Sequence, residues 1–362
     1  MNKKLQGIIL GIVVAVLVWF IPIPGLPVAG QKALAVTVFA VIWWVFGVAH
    51  PAYTTMLLFL GYILLVGNVQ NADGTTVDMA GQVFRLFVLP LNWLMVGAFL
   101  IAAAVTKSGL AKRVAYFFMI RFAKSYKSIV VLSYVLGFVL SFLIPHPFPR
   151  TLLIMAMVGQ IIKEAKANEQ DTAALGFGVF AAATATSMIL LMGDSVLNVA
   201  GVGFSKMSVG FFDWIKYMAV PGIVASFLMM GLQLIMFKQT GPFDINRQTI
   251  IEEQKKLGPM SRNEKVVSIW IVIALLLWST DFIHHIDPAW IALGVAVGMA
   301  LPYIGEILTP ADISTGVNWP IVLFVVGALA IGNVSRATGM AQWLANTILP
   351  ATPPTNPFAF AG

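Results

Sequence analysis

Ten long apolar runs, near residues 5–21, 33–49, 51–67, 84–106, 128–144, 173–192, 214–237, 265–280, 289–304 and 319–334, decide what this chain can fold into. At about 1.5 Å per residue, most are long enough to cross or nearly cross a hydrocarbon core about 30 Å thick. Water is absent from that core, so backbone groups must pair within the chain, and only a helical bundle or a closed barrel does this. The runs are continuous rather than alternating, which excludes a barrel. Composition agrees, with 59% of the 362 residues hydrophobic, 10% charged and a mean hydropathy of +0.90. The chain reads as an all-α polytopic membrane protein. The opening MNKK and its apolar run resemble a signal peptide, but the run is long, contains Trp19 and leads into further runs. It reads as an uncleaved first helix.

The polar minority narrows the chemistry. There are no cysteines, and His50, His146, His284 and His285 have no metal-binding spacing, so neither thiolate chemistry nor a metal centre is expected, and no cofactor. The net charge of +7 is concentrated. Lys107, Lys112, Arg113, Arg121, Lys124 and Lys127 crowd one connection, and Lys238, Arg247, Lys255, Lys256, Arg262 and Lys265 another. Neither cluster sits on a soluble domain with interleaved aromatics, so nucleic acid is not the expected partner. The positive-inside rule places the loops near 107–127 and 238–265 in the cytoplasm of a multi-pass protein of the cell (inner) membrane.

The polar stretch 238–264 divides a first membrane half, 1–237, from a second, 265–362. The halves share a pattern. Residues 97–111, GAFLIAAAVTKSGLA, and 327–341, GALAIGNVSRATGMA, both read Gly-Ala, nine residues, Ser or Thr, Gly, Leu or Met, Ala. Asn92-Trp93 and Asn318-Trp319 precede them, and Trp19 stands fourteen residues before Ala33-Leu34 as Trp278 does before Ala292-Leu293. Such internal repeats are the usual build of secondary transporters, whose sites lie at interrupted helices near the midplane. If the halves are duplicates, the second lacks a counterpart of 141–237, and a longer native protein is expected.

Two regions interrupt the apolar pattern. In SFLIPHPFPRT, residues 141–151, Pro145, Pro147 and Pro149 forbid an uninterrupted helix through 144–149. Irregular backbone at membrane depth survives only where protein or a water-filled cavity receives it. The helix is expected to resume at Arg150, with free N–H groups at its start that favour an anion. An arginine at the bilayer centre costs about 2.5–3.5 kcal/mol and is usually functional or paired. Arg150 is read three ways: as an anion ligand, as a side chain snorkelling to an interface, or as the partner of Asp194. The second break, TATSMILLMGDSVLNVAG at 184–201, places Gly193, Asp194, Ser195 and Asn198 together, either as a cation site or as a surface loop. An intramembrane enzyme would need a nucleophile and base, and Ser141 five residues before His146 is a poor dyad.

The second half then shows Trp278, Asp281, His285 and Pro288, followed by Trp319, Gly327, Ala328 and Gly339. In this pattern the chain resembles the divalent anion/sodium symporter family. The resemblance covers essentially the whole chain. It implies a dimeric, elevator-type carrier of inverted repeats, each with a re-entrant hairpin, here with the first hairpin near 141–157 and the second repeat incomplete. It implies no enzyme activity, but transport of a small organic anion, a di- or tricarboxylate, in lipid, with sodium or a proton as coupling ion. The alternative within the wider superfamily is a cation/proton antiporter or an exporter of inorganic or metalloid anions. Typical members carry Ser-Asn-Thr at the hairpin tip, a position taken here by Pro145-His146-Pro147. The expected substrate contacts are His146, Pro147, Arg150 and Thr151. The expected ion contacts are Ser141, Pro145, Gly193, Asp194, Ser195 and Asn198.

Overall fold

The computed structural model describes residues 2–67, 76–194, 196–205, 209–245 and 247–348. Among these the chain is helical, without a β-strand. The α-helices are α1 (Lys3–Phe20), α2 (Val28–Phe46), α3 (Pro51–Gly61), α4 (Met79–Phe84), α5 (Pro90–Ser108) and α6 (Leu110–Phe122). They continue as α7 (Tyr126–Ser141), α8 (Pro147–Glu164), α9 (Glu169–Ala185), α10 (Leu197–Ser205), α11 (Phe211–Met236) and α12 (Arg247–Lys256). The last six are α13 (Arg262–Ser279), α14 (Asp281–His284), α15 (Pro288–Ala300), α16 (Pro310–Thr315), α17 (Trp319–Ala337) and α18 (Met340–Ile348).

Five of these, α1, α2, α5, α11 and α17, are long and apolar enough to cross a membrane. Most other apolar runs give shorter helices, because hydropathy does not register where a helix stops, whereas α13 matches α1 at 18 residues but opens with Arg262, Glu264 and Lys265. The run 84–106 is divided at Leu89, whose extended backbone precedes Pro90. The run 128–144 ends as a helix at Ser141, and 173–192 at Ala185.

The chain forms two compact units, Met1–Leu89 with Trp319–Gly362, and Pro90–Asn318. In the first, α1 and α2 pack side by side. The last carbonyls of α1 lack intrahelical partners, and α2 supplies them: the Gln31 side-chain amide donates to Val18 O (2.8 Å) and Ile21 O (2.9 Å), and Lys32 Nζ to Trp19 O (2.7 Å). The Lys32 ammonium also lies 4.1 Å from the Trp19 ring centroid. Elsewhere in this unit Asn333 of α17 donates to Gln82 O (2.8 Å).

In the second unit α7, α8 and α9 pack on one another around Ile129, Leu136, Leu140, Ile154, Val158 and Val179, all buried. Ser125 begins α7 with a reciprocal capping box, Ser125 and Ser128 each bonding the other's backbone N–H. At that same end Asp171, fully buried in the first turn of α9, accepts from Thr240 N (2.9 Å), Thr240 Oγ1 (3.0 Å) and Gly241 N (3.1 Å). Tyr126 Oη donates to Phe237 O (3.2 Å), so the start of α7, the start of α9 and the end of α11 form one base. The α7/α8 hairpin rises from it to a tip at 142–146.

A second clamp holds α6 to the segment before α13. Arg113 donates through Nε to Glu264 Oε1 (2.6 Å) and through Nη2 to Oε2 (3.0 Å), and its Nη1 reaches Gly258 O (2.9 Å). Glu264 lies in the polar first turn of α13, ahead of its apolar run. The hydrogen bond from Arg113 holds its carboxyl below the ordinary glutamate range. A carboxyl depressed on folding stabilises fully above its unfolded pKa, about 4.3, and loses that contribution as pH falls through the folded value. Glu264→Gln is therefore expected to cost about 1 kcal/mol at neutral pH and to make stability less sensitive to acidification below pH 4.3. Thermal unfolding across pH 3–7 checks this.

Among the described residues, one local geometry is found in both units. Both α5 and α17 have 19 residues, and each ends near a glycine in the left-handed region, Gly109 at φ +82° and Gly339 at φ +75°. A new helix starts at the next residue, Leu110 or Met340. The glycines are the second Gly of the repeated pattern, and their φ is one that side-chain-bearing residues rarely adopt.

Candidate substrate and ion site

The tip of the hairpin is where the prolines act. The helix resumes at Pro147 rather than at Arg150. Proline is tolerated in a first turn because the N–H it lacks would have had no intrahelical partner there, so Pro147 and Pro149 begin α8 instead of delaying it. Only Pro145 lies in the break itself.

This start leaves none of the expected free N–H groups. His146 N donates to Ile144 O (2.8 Å), Pro147 and Pro149 have no N–H, and Phe148 N donates to His146 Nδ1 (3.2 Å). His146 is thus the N-cap of α8, with its ring 5.2 Å from that of Phe99. Thr151 is buried and returns its hydroxyl to Pro147 O (2.9 Å), and Ser141 returns its own to Phe138 O (2.6 Å).

Arg150 is fully buried, which excludes snorkelling. Its Nη1 donates to Ile144 O (3.1 Å) and Gly193 O (2.9 Å), and its Nη2 to Ala183 O (3.0 Å). The side chain thereby joins the tip, the end of α9 and the second break. A guanidinium has five N–H donors; three are engaged, and Nε is buried without a protein partner. None of the described ion pairs joins Arg150 to Asp194.

The second break is built as tightly. After α9 come two 3₁₀ turns, Thr186–Met188 and Leu191–Asp194, and then α10. Asp194 is buried, and its Oδ1 accepts from Val196 N (2.9 Å) and Leu197 N (3.0 Å), so it caps the start of α10. The Asn198 amide donates to Ser187 O and Leu190 O, each at 2.9 Å, supplying carbonyls the broken helix leaves open. Gly193 is a close-approach position, where a Cβ would overlap Ser187 O. Trp214 Nε1 of α11 donates to Met188 O (3.0 Å). Ser195 lies outside the described residues.

The fold therefore brings Arg150, Gly193 and the tip backbone into direct contact and places Asp194 and Asn198 in the same break. His146, Pro147 and Thr151 share the first turn of α8. A cavity of about 10 Å³, room for one water, is lined by Ser141, Phe142, Pro145, Leu190, Met192 and Trp278, among others. The participants that sequence reading missed are backbone atoms, Ile144 O, Ala183 O and Ser187 O, together with the Phe99 ring. A carbonyl has no side-chain signature, so no residue type announced the first three. Among the described residues no cluster of His, Asp or Glu could hold a metal ion.

A helical membrane chain with a buried cation at the meeting of two broken segments has the anatomy of a solute carrier, and sequence comparison gives the family. Residues 2–358 match the sodium:sulfate symporter transmembrane region, and the chain belongs to this family of divalent anion/sodium symporters. It is 24% identical to a membrane protein of Cupriavidus necator, over 95% of this chain and 69% of that one. It is 22% identical to the chloroplastic dicarboxylate transporter 1 of Arabidopsis thaliana, over 96% of this chain and 62% of that protein. It is 25% identical to the sodium-dependent dicarboxylate transporter SdcS of Staphylococcus aureus, over 94% and 69%. The chain spans 61% to 62% of the length of the plant relatives and 69% of the Cupriavidus protein.

Proposed function

We propose that this chain forms part of a secondary active transporter that moves a small organic anion, a di- or tricarboxylate, in symport with sodium or protons. The observation that carries the proposal is the junction of the α7/α8 tip with the break after α9, in a chain of this family. Relatives named as dicarboxylate transporters speak for the substrate class, and one named as sodium-dependent speaks for the ion. The hairpin supports a re-entrant reading. Its arms, about 24 and 27 Å long at 1.5 Å per residue, are not among the helices long and apolar enough to cross.

In this reading the substrate anion meets the tip at His146, Pro147, Arg150 and Thr151, with the two unengaged Arg150 donors facing a carboxylate. Ser141, Pro145, Gly193, Asp194, Ser195 and Asn198 surround the coupling charge. Arg150 is fully buried, so a substrate carboxylate reaches its free donors only when the tip opens. The chain is organised as a first membrane half, 1–237, a polar linker, 238–264, and a second half, 265–362. The Gly109 and Gly339 turns support a duplication, as do unit boundaries just before both α5 and α17. Inverted repeats, elevator motion, a homodimer in the inner membrane and cytoplasmic loops near 107–127 and 238–265 complete the proposal.

Ligand-dependent thermal unfolding tests it. A true substrate at one hundred times its dissociation constant adds about 2.7 kcal/mol, so succinate, malate or citrate is expected to raise the unfolding temperature by several degrees where acetate does not. Equal response to every anion, or to none, would contradict the substrate class.

A further inference from the structure

Three carbonyl oxygens, of Ile144, Ala183 and Gly193, converge on one fully buried guanidinium. They belong to the ends of three helical pieces: the residues just past α7, the last turn of α9, and the 3₁₀ turn 191–194. The C-terminal end of a helix is the negative end of its dipole, so the junction gathers oxygen ligands and partial negative charge from three directions. Hard cations such as sodium are held by oxygen ligands of this kind. Here the cation is covalently tethered. Asp194, the carboxylate in this place, turns Oδ1 to the N–H groups of α10.

We infer that Arg150 is a built-in cation in a carbonyl cage, closing the hairpin tip onto the broken segment, so that this cage takes no free sodium ion. The inference deepens the transporter reading, and only its consequence for coupling rests on that reading: Gly193 O is already taken by Arg150, so a driving ion must use other atoms of the expected ion contacts. A tethered cation cannot dissociate during a transport cycle. The cage is then a latch between the tip and the broken segment, able to open by breaking hydrogen bonds, rather than a site that takes up and releases an ion.

The test uses thermal unfolding of the purified protein in sodium chloride against choline chloride at equal ionic strength, without substrate. Arg150→Ala empties the cage. Its unfolding temperature is expected to fall, to rise by about 2–4 °C more in sodium than in choline relative to wild type, and to recover partly with millimolar methylguanidinium. A folded Arg150→Ala that responds to neither cation more than wild type does would overturn the inference. Should that variant not fold, Arg150→Lys and Arg150→Met decide. The lysine variant, still cationic, is expected to unfold well above the methionine one, and equal unfolding temperatures would overturn the inference. None of these readouts depends on transport, so failure of the carrier assignment would leave them unchanged.

Discussion

Arg150→Ala is expected to lower the stability of the helical unit Pro90–Asn318 by about 3–5 kcal/mol, because three buried carbonyl acceptors lose a charged donor and a cavity is left behind. The guanidinium donates three hydrogen bonds to carbonyls of Ile144, Ala183 and Gly193. Removing it weakens the satisfaction of three buried acceptors together and leaves a cavity the size of the longest side chain in the tip. Local opening is expected first at the tip and at the end of α9. Hydrogen exchange checks this directly: amides in 142–150 and 183–198 should lose protection, while the base, held by Asp171 and Tyr126, should keep it. Uniform loss across α7–α11 would mean that Arg150 supports the whole unit rather than the junction.

Gly193→Ala is the second large effect. The added Cβ would overlap the carbonyl oxygen of Ser187, which is backbone and cannot rotate away. The two 3₁₀ turns must separate, and Gly193 O moves from Arg150 with them. Overpacking of this type costs about 1–3 kcal/mol and occasionally more, and loss of one charge-assisted hydrogen bond brings the expectation to about 3–4 kcal/mol. The two substitutions share a contact, so their effects should fall short of additive by about 1 kcal/mol or more. A double-mutant cycle in denaturant measures this. Strict additivity would separate Gly193 from the Arg150 junction.

The tip shows how far the sequence could be read. Three prolines in five residues announced a broken helix, and a helix does break there. The restart was misplaced by three residues because proline obstructs a helix interior but suits a first turn, and the sequence does not say which turn it occupies. The same oversight supplied N–H groups that two prolines lack and that the His146 cap engages. Arg150 was legible as a charge in an apolar run, open to three readings of which burial excludes snorkelling. Its partners were not, since backbone carbonyls from three separate segments leave no mark in residue type or spacing. Gly193 and Asn198 were visible as polar or small residues in an apolar run. That Gly193 admits Ser187 O, and that Asn198 bridges open carbonyls, depends on how two 3₁₀ turns stack. Apolar runs gave the helical class directly but not the helix ends, because composition continues through Pro90 and past Ala185 where the helix does not.

The measurement that bears most directly on the account is uptake of labelled succinate or malate by proteoliposomes containing the purified protein, with sodium and proton gradients imposed separately. The account predicts accumulation driven by one of these gradients and competed by excess unlabelled dicarboxylate. Folded, reconstituted protein that accumulates and exchanges no dicarboxylate or tricarboxylate above empty vesicles, under either gradient, would contradict it.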